Sequence, residues 1–366
     1  MSHPTIQKTL DLGQSIWLDF ISRDLMNSGK LQQLIDNGLR GETSNPTIFE
    51  KSISKSGDYD PDIHEGHTQH WTAPQIFEHI AVTDVTRACD ALRPVYDITK
   101  GTDGFVSIEV SPGLANDTDG TITEARRLWK SVNRPNLMVK IPGTDAGIPA
   151  IAAMLAEGLN INITLLFSQR QYHNTVKAWL DGLEERVRKG QDVSHIASVA
   201  SFFVSRVDTA GDKLLEAKGR KDLMGKAAIA NACLAYKYFL EMLQSPRWKA
   251  LEKAGAHVQR PLWASTSTKN PDYPDVLYVT ELMAKDTVNT LPLDTIEAWM
   301  DHGKPEPRLL ENLKTAEETL KKVHDAGVDV VKITEDLIED GVVKFTESFN
   351  QLMAAIEKKV HAEAVK

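Results

Sequence analysis

Short runs with one apolar and one polar face recur along the chain, and a stretch that suits a helix follows each of them. They fall near Ser15–Ser22, Gly41–Pro46, Gly104–Ser111, Leu137–Gly143, Asn160–Ser168, Ser198–Ser205, Pro261–Thr266 and Thr290–Asp294. Strands alternating with helices make βα units and a parallel sheet, and this many of them suggests a closed barrel. The faces sharpen that expectation. In Gly104–Ser111, Val106, Ile108 and Val110 share one side, while Ser107, Glu109 and Ser111 share the other. In Asn160–Ser168, Ile161, Ile163, Leu165 and Phe167 oppose Asn160, Asn162, Thr164 and Ser168. In Leu137–Gly143, Leu137, Val139 and Ile141 oppose Met138, Lys140 and Pro142. Successive side chains of a strand point to opposite faces. An open parallel sheet covered by helices on both sides wants both faces apolar. A barrel removes the conflict, with apolar sides against outer helices and polar sides inward. Buried Asp, Glu, Lys, Asn and Thr are costly unless they pair with one another and with a ligand. The inward face is therefore the candidate site. The expected fold is α/β, a single (α/β)8 TIM barrel over residues 1–366, because no linker or composition shift divides the chain. Ala178–Arg188 and Lys226–Leu243 read as amphipathic helices. An additional C-terminal helix follows from Val342, Phe345, Phe349, Leu352 and Ile356 at helical spacing. Pro292 makes the eighth strand the least regular of the set.

Composition narrows the function classes. The net charge of −9 argues against a nucleic-acid partner, which needs a basic face. An anionic substrate would have to be met by a few local cations. Cys89 and Cys233 lie in helix-like stretches without CxxC spacing, and no apolar run approaches a membrane span, so a cytoplasmic protein with no membrane partner is expected. His64, His67 and His70 lack the HExxH spacing that sets two histidines one turn apart, so this segment reads as a solvated loop and no metal is expected. Neither GxGxxG nor GxxxxGK[ST] occurs, so no cofactor is expected.

Several runs then resemble one family. GETSNPTIFEKSI (Gly41–Ile53) is similar to the transaldolase signature containing T-S-N-P-[ST]-I-F. NLMVKIPGT (Asn136–Thr144) resembles that family's Schiff-base lysine strand, and NINITLLFS (Asn160–Ser168) its N-x-T-L-L-F-S strand. WLDFISR, SIEVSP, SVASFFVSR and LWAST correspond in kind and order. The resemblance runs from about Trp17 to the C-terminal helix. It implies a class I, Schiff-base enzyme of the pentose phosphate pathway. Such an enzyme moves a dihydroxyacetone unit from sedoheptulose 7-phosphate to glyceraldehyde 3-phosphate, giving erythrose 4-phosphate and fructose 6-phosphate. Phosphosugars would be its partners, and the chain a monomer or homodimer.

The resemblance also implies roles. A Schiff-base lysine must be uncharged to attack a ketone, and burial beside apolar neighbours favours that form. Lys140, between Val139 and Ile141, is placed for it. Asp19 would take the proton from the hydroxyl whose carbon–carbon bond breaks. Glu109, through a water held with Thr164, would serve carbinolamine formation and dehydration. Asn45, Asn162 and Ser201 would hold the dihydroxyacetone hydroxyls, since an amide offers donor and acceptor at fixed spacing. Residues 44–46 could alternatively be a simple turn. Arg206 matches the phosphate arginine, whose planar fork suits phosphate oxygens. After the seventh strand the chain departs from the better-known branch, which reads alanine, serine, an aromatic and then arginine. Here it reads Ala264-Ser265-Thr266-Ser267-Thr268-Lys269. Ser265 can keep its role, and the second cation would be Lys269, displaced by a short insertion.

Two rivals fit the same features. One is a fructose-6-phosphate aldolase, which releases dihydroxyacetone and carries a tyrosine near the lysine where transaldolases place the third-strand glutamate. Glu109 favours transfer. The other is a non-catalytic phosphosugar-binding barrel, which would have little reason to keep Lys140, Asp19 and Glu109 together.

Overall fold

The computed structural model describes residues 2–364. Eight strands close into a barrel in sequence order: β1 Gln14–Asp19, β2 Gly41–Thr43, β3 Phe105–Glu109, β4 Leu137–Pro142, β5 Ile161–Leu166, β6 Ser198–Phe203, β7 Arg260–Ala264 and β8 Thr287–Leu291. Every neighbouring pair is parallel, including β1 with β8. The alternation read from the sequence holds. Val106, Ile108, Leu137, Val139, Ile141, Ile161 and Ile163 are buried in the main apolar cluster with the helices outside.

Two corrections arise in the elements. The eighth strand is Thr287–Leu291 rather than Thr290–Asp294, and Pro292 caps the helix Leu293–His302 that follows. The segment with His64 and His67 is not a loop. It is the helix Asp60–Thr68, begun by Pro61, and His70 lies just past its end at φ 57°. Gly66 shows why this piece packs as a helix, since a Cβ there would lie 2.4 Å from Ile76. Among the described residues no group of three His, Cys, Asp or Glu side chains is arranged to hold a metal, and no helix is long and apolar enough to cross a membrane.

The N-terminal end of the barrel is plugged. Arg260 donates to Asp103 Oδ1 at 2.8 Å and to Ser15 Oγ at 2.9 Å, while Ser15 and the Trp17 indole donate to the same carboxylate at 2.6 and 3.0 Å. Trp17 fills the next layer beside Phe105, with ring centroids 6.3 Å apart. It needs Gly41 opposite, where a Cβ would sit 2.5 Å from the indole. Such a floor at the N-terminal face is where stability residues of these barrels lie, and it leaves the C-terminal face for chemistry.

The C-terminal helix, Val330–Ala364, runs across that open face. It packs along the helix Pro46–Lys55 and burys Phe345, Leu352 and Ile356. Thr47 Oγ1 donates to Ser348 Oγ at 2.8 Å, and Lys359 reaches Ser56 O at 2.9 Å and Asp60 at 2.7 Å. Its backbone comes so close to the rim that a Cβ on Gly341 would meet Leu165 at 3.0 Å. Leu165 has φ 59°, at the register shift between Ile163 and Leu166 that ends β5. Ser168 then caps the helix Gln169–Arg188, with the Gln171 amide oxygen accepting from Phe167 and Ser168 N–H.

Candidate active site

The strand ends bring the inward polar residues together. Glu109 and Lys140 are register partners on β3 and β4, and Lys140 and Asn162 on β4 and β5. Lys140 is 5% exposed. Its Nζ lies 3.3 Å from Glu109 Oε2 and donates to the Ser44 carbonyl at 3.2 Å. The contact with Glu109 is direct.

Asp19 ends β1 on the same inward side. Thr43 Oγ1 donates to its Oδ1 at 2.8 Å and so accepts from Thr290 Oγ1 at 2.7 Å. Burial pushes the Asp19 carboxyl above its ordinary range, while Lys140, the Thr43 hydrogen bond, Lys269 and Arg206 pull it back. Burial likewise raises Glu109; Lys140 lowers it, and the nearby charge of Asp19 raises it further. Lys140 thus lies close to two carboxyls that resist ionising together.

A second chain of bonds lies beside this triad. Ser201 donates to Asn162 Oδ1 at 2.7 Å, and Asn162 Nδ2 donates to Ser107 Oγ at 3.0 Å. Ser44 Oγ holds the Ser107 carbonyl at 2.8 Å. Asn45 caps the helix Pro46–Lys55, where residues 44–46 could have been a simple turn, and its Oδ1 accepts from Ile48 N–H at 3.0 Å. Its other amide atom makes no hydrogen bond among the described residues. Thr164 Oγ1 is fully buried without a partner, and so is Arg206 Nη1. A buried polar atom left unpaired costs about 1–3 kcal/mol, so two at one mouth mark places a ligand or water would fill. Arg206 lies with its guanidinium 5.4 Å from the Phe203 ring centroid. Burial pushes it below its ordinary range against the charges of Asp340 and Asp19.

The seventh strand's loop holds the departure seen in the sequence. Ser265 sits at φ 55°, and its hydroxyl lies 2.9 Å from Ser205 Oγ, beside Arg206. Lys269 is exposed, and its Nζ donates to Ser267 at 2.7 Å. It is near enough to act on Asp19 but carries no buried, waiting donor.

Sequence reasoning missed four contributors. Thr43 and Thr290 orient Asp19; the Ser44 carbonyl binds Lys140; Phe345 reaches over Lys140, with the ring centroid 5.8 Å from Nζ. The alternation in GETSNP could have marked Thr43, but a backbone acceptor leaves no signal in side-chain patterns. A cavity of about 320 Å³ lies to one side, lined by Asn45, Phe49, Phe77, Glu109, Leu128 and Phe349. Glu109 and Asn45 border it, whereas Lys140, Asp19 and Arg206 do not.

With this geometry in place, comparison with known proteins is decisive. The transaldolase/fructose-6-phosphate aldolase family matches residues 16–356. The chain belongs to that family. A transaldolase of Trichodesmium erythraeum is 46% identical over 364 residues, covering 96% of each chain. One from Acidothermus cellulolyticus is 48% identical over 352 residues, covering 95% of each, and one from Mycobacterium marinum is 45% identical over 368 residues, covering 99% of each.

Proposed function

We propose that this chain is a transaldolase that carries a dihydroxyacetone unit on Lys140. The observation that carries the reading is one buried amine, 3.3 Å from a carboxyl whose burial favours its protonated form, at the C-terminal end of the barrel. Glu109 can accept a proton from Lys140, freeing the amine lone pair for the ketone carbon of fructose 6-phosphate or sedoheptulose 7-phosphate. The carbon–nitrogen bond forms, the ketone oxygen takes a proton and leaves as water, and an imine remains. Thr164 Oγ1, buried and unpartnered, would hold that water for Glu109. Asp19 takes the proton from the hydroxyl on the carbon two bonds from the imine. The carbon–carbon bond then breaks, its electron pair moves into the imine, and the aldose phosphate departs. The enamine attacks the aldehyde of the acceptor in the reverse sense, with Asp19 returning the proton.

Asn45 through its free amide group, with Asn162 and Ser201, would hold the hydroxyls of the three-carbon unit. Arg206 would hold the phosphate, with Ser265 beside it and Lys269 as an outer cation. A glutamate rather than a tyrosine beside the lysine favours transfer over release of free dihydroxyacetone. Borohydride added with fructose 6-phosphate should inactivate the enzyme and add a three-carbon mass to the peptide containing Lys140. Label on another lysine, or none, would refute the mechanism. Turnover without an aldose acceptor would make the chain an aldolase.

A further inference from the structure

We propose that Tyr273, bonded to Asp212 on the helix that begins beside Arg206, is a positioning residue for the phosphate, because it fixes the turn that follows Lys269. The inference rests on the reading of Arg206 and Lys269 given above as the cations that meet the phosphate. A lysine on an exposed loop is a weak anchor when backbone and side chain must both be ordered as the anion binds. A backbone already fixed leaves only the side chain to order.

The sequence after the seventh strand supplies the stiffness. Asn270-Pro271-Asp272-Tyr273 has asparagine first and proline second, the order that a type I turn favours. Tyr273 N–H donates to the Asn270 carbonyl at 3.1 Å, and Asp272 N–H donates to Asn270 Oδ1 at 3.0 Å. Pro274 follows and restricts the backbone once more. Lys269 immediately precedes this turn, so a bond that holds Tyr273 also holds the backbone from which Lys269 extends.

The loop is tied to one face of one helix. At its start, Ser205 N–H donates to the Ser265 carbonyl at 2.9 Å, and the two hydroxyls lie 2.9 Å apart. In its middle, Tyr273 O–H donates to Asp212 Oδ2 at 2.6 Å. At its end, Tyr278 O–H donates to Asp208 Oδ2 at 2.8 Å. Ser205, Asp208 and Asp212 follow one another at spacings of three and four on the helix Ser205–Ala217, so they make a single stripe, and all three are buried. The other oxygen of each carboxyl accepts a backbone N–H, from Ala228 on Asp208 at 2.8 Å and from Gly225 on Asp212 at 2.9 Å. Gly225 also makes room for the tyrosine: it sits at φ 70°, and a Cβ there would lie 2.8 Å from the Tyr273 ring. Arg206 adjoins Ser205 on the same helix, so both cations are carried by one framework. Tyr278 is fully buried and belongs to the core, whereas Tyr273 is half-buried, so its hydroxyl can be removed without opening the core.

The readout is phosphate discrimination, kcat/KM for fructose 6-phosphate divided by that for fructose, with Tm measured for each variant. Tyr273→Phe keeps the ring over Gly225 and removes the hydroxyl. Discrimination should fall by about two- to fivefold, as in Lys269→Ala, through KM rather than kcat. Adding Tyr273→Phe to Lys269→Ala should cause no further loss, since the hydroxyl acts through that lysine. Asp212→Asn alters the other side of the same bond; it serves if Tyr273→Phe does not fold, and should shift discrimination in the same direction. Tyr278→Phe breaks the buried bond beyond the turn; it should lower Tm and leave discrimination near the parent value. Unchanged discrimination in Tyr273→Phe, an equal loss in Tyr278→Phe, or a full additional loss in the double variant overturns the proposal. Arg206→Ala separates the two readings. If it leaves discrimination unchanged, the phosphate reading itself falls, whereas a large loss there with none in Tyr273→Phe defeats the positioning alone.

Discussion

Replacing Arg206 by alanine should separate two effects that usually move together, affinity and stability. In the free protein Arg206 Nη1 is buried with no acceptor. An unsatisfied buried donor costs about 1–3 kcal/mol, so alanine removes that cost along with the side chain, and Tm should hold or rise. Binding should behave differently. A hydrogen bond to a charged group contributes about 1.5–3 kcal/mol, which corresponds to roughly ten- to 150-fold in affinity. The apparent KM for fructose 6-phosphate should rise by that order, while turnover of unphosphorylated fructose hardly changes. Arg206→Lys keeps the charge but loses the planar fork, and should fall between. Lys269 is exposed and held by Ser267, so Lys269→Ala should lose only about two- to fivefold, the scale of a solvated charge contact. A second readout comes from Asp19. Arg206 and Lys269 both lower its pKa, so removing either should move the acid limb of kcat/KM to higher pH. The assay is kcat/KM for phosphorylated and bare donors across pH, with Tm for each variant. Greater loss of phosphate discrimination in Lys269→Ala than in Arg206→Ala would refute the assignment, as would equal loss for both donors.

The other expectations concern the carboxyls. Asp19→Asn should still form the imine but stall at carbon–carbon cleavage, so trapped intermediate accumulates, whereas Glu109→Gln should slow trapping itself; equal trapping rates would deny the division. Burial raises both groups, so the acid limb of kcat/KM in the parent should have its midpoint above about 4, the ordinary carboxylate range, and a midpoint at or below it would contradict their burial in the working enzyme. Asp208, buried with Tyr278 O–H and Ala228 N–H donating to it at 2.8 Å each, is pushed up to about 7. Its folded pKa exceeds the unfolded value near 4, so its stabilising contribution is full below about pH 4 and is lost as pH rises through about 7, at up to about 1.4 kcal/mol per pH unit. Asp208→Asn should flatten Tm against pH over that interval, and a curve parallel to the parent's would exclude this origin.

The barrel and most of the site were legible because a strand's period of two sorts residues by face. Ser107 and Glu109, Lys140, and Asn162 and Thr164 could be assigned inward from alternation alone, and they are neighbours across the register. The same rule failed at β8. Thr287, Asn289 and Leu291 face outward there, and a buried outward Asn289, bonded to Thr266 Oγ1 at 2.7 Å, breaks the apolar pattern. The apolar residues around Pro292 then drew the expected strand three residues too late. The histidine segment misled for a related reason. Its helix buries only Ile63 and Gly66, too little for an amphipathic signature, and Gly66 reads as a breaker although Ile76 requires it. Phe345 was legible as a helix-face residue but not as a neighbour of Lys140. Two hundred or so residues separate them, and only the path of the last helix joins them.

The two ends of the barrel show why one arginine supports the fold and another can serve a substrate. Arg260 and Arg206 both lie at strand ends of the same closed sheet. Arg260 spends its donors on Asp103, Ser15 and the Thr102 carbonyl, and Asp103 in turn is filled by Ser15 and Trp17. Little remains for a ligand, and removing one member would strand a buried charge, which typically costs about 3–5 kcal/mol. At the other end Arg206 Nη1 and Thr164 Oγ1 have no partner, and the charges of Asp19, Glu109 and Lys140 are only partly compensated. On the proposed reading, these two unpaired donors take partners from outside, phosphate for the guanidinium and water for the threonine.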